Sequence, residues 1–186
     1  MTLTLLFFVF SALASQPPLE DPPAVTPGKD PLMENLWHLR NSRTVDAWTI
    51  TEGDPRITVA VVDSGIHYNH PELNANIRRK RSETPHDKLD NDENGYLDDW
   101  IGWDYVRGNW LPFDKAGHGT FMASIIAAVG DNAIGLKGVC PRCSILPIRF
   151  INGEGLGDTE DAIEGIYYAA NEGASVISLS NLFDFL

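Results

Sequence analysis

Ile57-Thr-Val-Ala-Val-Val-Asp-Ser-Gly65 carries the strongest structural signal in this chain. From Ile57 to Val62 the run is β-branched apart from Ala60 and lacks polar alternation, the pattern of a strand buried on both faces in a parallel sheet. Asp63 closes the run. In open α/β sheets the functional crevice lies beyond the carboxyl ends of the strands, so this carboxylate stands where chemistry is placed.

Working outward, strand and helix patterns alternate. Residues 119–129 read as a helix with Phe121, Ile125, Ala128 and Val129 on one face, and Gly130 is a C-terminal stop signal. Residues 144–150 form a second apolar strand. Asp158 then offers an N-cap for a helix over Thr159 to Asn171, which Gly173 ends, and residues 174–180 read as a third strand. Upstream, Leu36, Trp37 and Leu39 lead into a short helix over Thr44 to Thr49. Such alternation predicts an α/β fold, an open parallel sheet with helices on both faces.

The chain has 186 residues, 43% hydrophobic and 22% charged, which suits one folded domain and excludes wholesale disorder. A net charge of −12 argues against nucleic acid or an anionic membrane surface as partner, since both are bound by clustered Lys and Arg. Residues 1–15 read as a signal peptide: the apolar run from Leu3 ends in Ala12-Leu-Ala14, a small-x-small cleavage pattern, and is too short for a stable membrane anchor. Secretion follows as the expectation. Residues 16–31 hold six prolines and read as an extended linker, leaving 32–186 as the folded body. No feature of the sequence specifies an oligomeric state.

A second motif bears on chemistry. In Gly117-His-Gly-Thr-Phe-Met-Ala-Ser124, His118 sits between two glycines at a helix start, where neighbours can approach the backbone closely. A general base must begin unprotonated near neutral pH, and a buried carboxylate that takes the other ring proton orients it. Asp63 is the matching carboxylate.

Thr58-Val-Ala-Val-Val-Asp-Ser-Gly-Ile66 with His70-Pro-Glu-Leu73, and the segment around His118, together resemble the subtilisin-like serine peptidases, the subtilase family. Gly135-Leu-Lys-Gly-Val139, Ile145-Leu-Pro-Ile-Arg149 and Ala162-Ile-Glu-Gly-Ile-Tyr-Tyr-Ala-Ala170 follow in family order, so the resemblance runs from about Pro31 to Ser180. It implies peptide-bond hydrolysis of a polypeptide substrate by an Asp/His/Ser triad, with Asp63 orienting His118. It also implies substrate-backbone binding by Gly155, Leu156 and Gly157 on one side and Ser180 on the other. The family's catalytic Ser and oxyanion Asn have no counterpart here, and Asn181-Leu-Phe-Asp-Phe-Leu186 replaces the expected glycine-containing pocket wall. The chain is therefore expected to be an incomplete, N-terminal portion of a peptidase domain, inactive alone. The alternative is a non-catalytic calcium- or peptide-binding module.

Asp90-Asn-Asp-Glu-Asn-Gly95 matches the opening of an Asp-x-Asp-x-Asn-Gly calcium loop, in which alternate oxygens converge and glycine permits the turn. The expected glutamate beyond the glycine is replaced by Ile101. The candidate calcium ligands are thus Asp90, Asp92, Asn94, Tyr96, Asp98 and Asp99. Cys140 and Cys143 are too few for a zinc site and are read either as a short-loop disulfide or as a reduced pair. Arg78-Arg-Lys-Arg81 reads as a solvated basic run or a processing site.

Overall fold

The computed structural model describes residues 16–23 and 28–180. The predicted signal peptide lies outside the described residues, as does the replaced pocket wall. Two short helices, α1 (Trp37–Asn41) and α2 (Thr44–Ala47), precede strand β1 (Thr58–Asp63). Strand β2 (Trp103–Asp104), helix α3 (His118–Ala127), strand β3 (Ser144–Arg149), helix α4 (Thr159–Asn171) and strand β4 (Val176–Ser178) follow.

The strands form one parallel sheet in the order β2-β3-β1-β4. All six residues of β1 are buried, as a run without polar alternation requires. Its successive side chains feed two cores. Val59 and Val61 join Ile145 and the α3 residues Ala123 and Ala127 on one face. Ala60 and Val62 join Leu146, Ile148 and the α4 residues Ala162, Tyr168 and Ala169 on the other. Helices therefore cover both faces, and each fully buried Val or Ile contributes about 1.5–3 kcal/mol.

Helix α4 has the bounds read from the sequence, and Asp158 Oδ1 accepts the Glu160 N–H as its cap. Helix α3 ends two residues before Val129. Ala128 turns extended there, because Val129 N–H donates to the Glu72 carbonyl and Gly138 N–H to the Ala128 carbonyl. Strand β4 is shorter than 174–180, and α2 stops before Thr49.

Two expectations change. The proline-rich segment is extended, but between Gln16 and Glu20 it is tied to the body. Gln16 Nε2 donates to Asp104 Oδ2 at 2.9 Å, the Tyr68 hydroxyl to the Pro17 carbonyl, Asn69 Nδ2 to the Pro18 carbonyl at 2.7 Å and Asn74 Nδ2 to the Glu20 carbonyl at 2.9 Å. Side-chain amides of the body thus satisfy carbonyls that an extended strap cannot pair internally. Further on, Asp30 accepts the Asp131 and Asn132 N–H groups. The basic run is also largely paired and half-buried: Arg78 pairs with Glu172, Arg79 donates to Asn74, and the Lys80 side chain is only 7% exposed. Arg81 is exposed. A row of cations close to Asp92, Asp99 and Glu172 is drawn inward by their charge.

Candidate active site

Asp63 ends β1 with its side chain 1% exposed, and His118 opens α3 with its ring 47% exposed. The two residues are 55 apart in sequence, yet His118 Nδ1 lies 2.8 Å from Asp63 Oδ1 and 2.9 Å from Oδ2. An ionised carboxylate only accepts, so in this pairing the Nδ1 proton belongs to His118, and the neutral ring of that tautomer has its acceptor at Nε2. Asp63 Oδ1 also accepts the Ser64 N–H at 2.6 Å.

The close approach depends on a missing side chain. A Cβ on Gly119 would lie 2.1 Å from the Gly65 carbonyl oxygen and 3.1 Å from Asp63 Cβ. Only glycine lets the first turn of α3 rest on the end of β1.

Gly155–Gly157 follows β3, and Ser180 follows β4. Because β1 lies between these parallel strands, both segments leave the sheet at its carboxyl end, on either side of Asp63. Gly157 makes an antiparallel bridge to Ile151, and Asn152 holds the turn by accepting from Glu154 and Leu156 N–H. Leu156 and Gly157 line an open cleft of about 320 Å³ with Tyr105, Phe150 and Asp161. Ser178 Oγ lies 3.4 Å from Ser180 Oγ. Among the described residues no hydroxyl is hydrogen-bonded to the His118 ring.

A carboxylate and an imidazole held in this way orient and stabilise a base, and the surrounding sequence shows which proteins share the arrangement. The model of the subtilase family matches residues 54–181, which includes the whole sheet and both large helices. The chain belongs to the subtilase family. It is 33% identical over 141 residues to a thermophilic serine proteinase of Bacillus sp. (strain AK1), covering 76% of this chain and 30% of that one. Thermitase of Thermoactinomyces vulgaris is 37% identical over 134 residues, covering 72% of this chain and 40% of its own length. Among solved structures, a lanthipeptide protease superposes with a TM-score of 0.58 at 27% identity, covering 81% of this chain and 36% of that one. The chain thus spans well under half the length of these subtilases.

This subtilase chain carries its acidic loop on the α4 side of the sheet, and the loop divides the six predicted calcium ligands between two jobs. Asp99 accepts from Lys80, from the Tyr168 hydroxyl and from Asn94 Nδ2, inside a buried ion cluster with Glu172. Asn94 Oδ1 accepts Tyr96 N–H, and the Tyr96 ring packs edge-on against Trp103 and Tyr168. Those side chains are occupied in holding the loop to α4. Burial works against the Lys80 ammonium, but its bonds to Asp92, Glu172 and Asp99 outweigh that and raise its pKa to about 12.

The other acids converge. Carboxylate oxygens of Glu83, Asp90 and Asp92 lie within 4.8 Å of one another. Glu83 Oε2, Asp92 Oδ1 and Asp98 Oδ1 are buried without a hydrogen-bond partner among the described residues. The place of Glu83 beside Asp90 and Asp92 was not legible, since it precedes the acidic repeat by a loop and only the fold returns it. Burial is the main cause that raises the Glu83 pKa, with the charges of Asp99 and Asp92 adding to it. The Cys140–Cys143 pair is bonded and packs against the α3-side core.

Proposed function

We propose that this chain supplies the acid and base of a subtilisin-type serine endopeptidase, acting on polypeptide substrates. The bond from His118 Nδ1 to the buried Asp63 carboxylate carries the reading. In that reading Nε2 takes the proton of a serine hydroxyl as it attacks the scissile carbonyl, then returns it to the leaving amine. Asp63 holds the ring and stabilises the imidazolium while the proton is on it. The family's catalytic serine and oxyanion donor have no counterpart among the 186 residues, so the chain alone is read as inactive. An extended substrate would run between Gly155–Gly157 and Ser180, pairing its backbone with them.

Calcium fits the acidic loop. Glu83 Oε2 and Asp92 Oδ1, buried without a hydrogen-bond partner among the described residues, are costly unless a cation is present, and oxygen-only ligands suit a hard divalent ion. Glu83, Asp90 and Asp92, whose carboxylate oxygens converge, would hold it, and bound calcium would supply charge neutralisation to the loop. Secretion is supported by the apolar leader and by the Cys140–Cys143 bond, which suits an oxidising compartment.

The test is a chimera in which residues 16–180 are continued by the part of thermitase that follows its region of similarity. The chimera is expected to hydrolyse a peptide substrate, and His118→Ala to abolish turnover. A folded chimera that is inactive, or one indifferent to His118→Ala, would refute the assignment.

A further inference from the structure

Asp114 is a buried carboxylate, 6% exposed, with no role in the chemistry above and no cation bonded to it among the described residues. It instead collects donors from both sides of the dyad. Oδ1 accepts the Ser64 hydroxyl at 2.9 Å and the Ala116 and Gly117 N–H groups at 2.9 and 2.8 Å. Oδ2 accepts the Thr120 N–H at 2.9 Å and its hydroxyl at 2.5 Å. The Ser64 hydroxyl in turn accepts the Gly119 N–H at 2.9 Å. Thr120 Oγ1 also receives the His67 N–H at 2.9 Å, which ties in the turn after β1.

The connectivity is specific to the dyad. Ser64 follows Asp63 and Gly119 follows His118, so one hydroxyl joins the residues next to both members. Helix α3 has no side-chain cap from its own N-cap residue, Gly117, which is in the left-handed region at φ 92°. Asp114 takes over that cap from four residues before His118 and binds the Thr120 N–H of the first turn. If either link is lost, α3 keeps its packing through Ala123 and Ala127, while the rotation of its first turn against β1 is no longer specified.

We propose that Ser64 and Asp114 are positioning residues, a hydroxyl–carboxylate relay that sets the alignment of the His118 ring on Asp63. This rests on the reading of His118 as a base oriented by Asp63. The relay touches neither substrate nor the reacting atoms, and it acts through the backbone of α3.

The experiment is proton NMR of the 186-residue chain labelled with 15N-histidine, following the His118 Nδ1–H resonance. His118→Ala assigns the signal and thermal melting monitors the fold. In the wild type the proton is expected far downfield and protected, and Asp63→Asn should remove it. Ser64→Ala is expected to melt within a few degrees of wild type while this proton exchanges with water about tenfold faster, as expected when one aligning bond is lost. Ser64→Thr keeps a hydroxyl and should restore protection; Asp114→Asn should behave as Ser64→Ala. A wild-type chain without the protected proton would refute the oriented dyad, and the relay with it. A protected proton unchanged by both Ser64→Ala and Asp114→Asn would refute the relay alone. Global unfolding of Ser64→Ala, or failure of Ser64→Thr to restore protection, would overturn it in favour of a purely structural role.

Discussion

At the carboxyl end of β1, Asp63 is enclosed, bonded to His118 and braced through Ser64 and Asp114 to the first turn of α3. One strand away, at β4, Val176 is 52% exposed, and Ile57, Val139 and Leu179 also face solvent. Val59, Ile125, Ile126, Val139, Val176 and Ile177 line an open, mainly apolar groove there. The contrast separates orientation from reaction. The Asp63–His118 pair is supported within the described residues, whereas the β4 side, where Ser180 stands, has an exposed edge and apolar surface with no packing partner among them. The dyad accords with the family, and under the proposed function turnover depends on what covers β4.

The comparison breaks most sharply if the braced side proves unimportant. In the chimera with thermitase, Asp63→Asn is expected to lower kcat by about 10⁴-fold, because the ring loses its acceptor and its tautomer. Steady-state peptide hydrolysis measures it; a loss below tenfold would show that Asp63 does not orient the base. Gly119→Ala should cost about 3 kcal/mol or more of stability, since the new Cβ meets the Gly65 carbonyl, a backbone atom that cannot swing aside. Urea unfolding checks this, and a near-neutral result would mean that α3 does not rest on β1 so closely.

The acidic loop gives a middle-sized effect. Calcium at about a hundred times its dissociation constant should stabilise the chain by about 2.7 kcal/mol, and Glu83→Gln should remove most of that gain. The sign of the pH dependence follows from Glu83. Its folded-state pKa is raised, so the folded chain binds its proton more firmly than the unfolded chain does. Without calcium its contribution therefore falls as pH rises through that range, and Glu83→Gln should flatten this part of the profile. Melting curves with calcium and with chelator, taken across acidic pH, measure both. The smallest effect concerns the β4 side. Val176→Lys should reduce binding of a hydrophobic dye to the apolar groove by about half, with little change in stability, because the residue is exposed.

Much of the fold was legible because burial leaves a pattern. The unbroken apolar run of β1, the one in β3, and the Asp158-capped, Gly173-ended α4 are each specified by local residues. Strand β2 was not legible, since the two residues Trp103 and Asp104 are too few for a period. The anchoring of the extended proline-rich segment and the pairing of the basic run were not legible for a shared reason: their partners Asn69, Asn74 and Glu172 are distant in sequence. Asp63 and His118 were legible through their motifs. Asp114 left a weaker signal, an acidic residue just before a helix start, and Glu83 left none. Asn94, Tyr96 and Asp99 have the spacing of a calcium loop, and their side chains also serve the α4 contact, which the acidic repeat alone does not reveal.

Under the proposed function this chain holds an oriented base and has no nucleophile of its own. Labelling by a serine-directed fluorophosphonate, compared between the 186-residue chain and the chimera, tests both halves together. The chain is predicted to remain unlabelled, and the chimera to label at a rate that collapses with His118→Ala. Specific labelling of the 186-residue chain, or labelling of the chimera that ignores His118, would contradict the account.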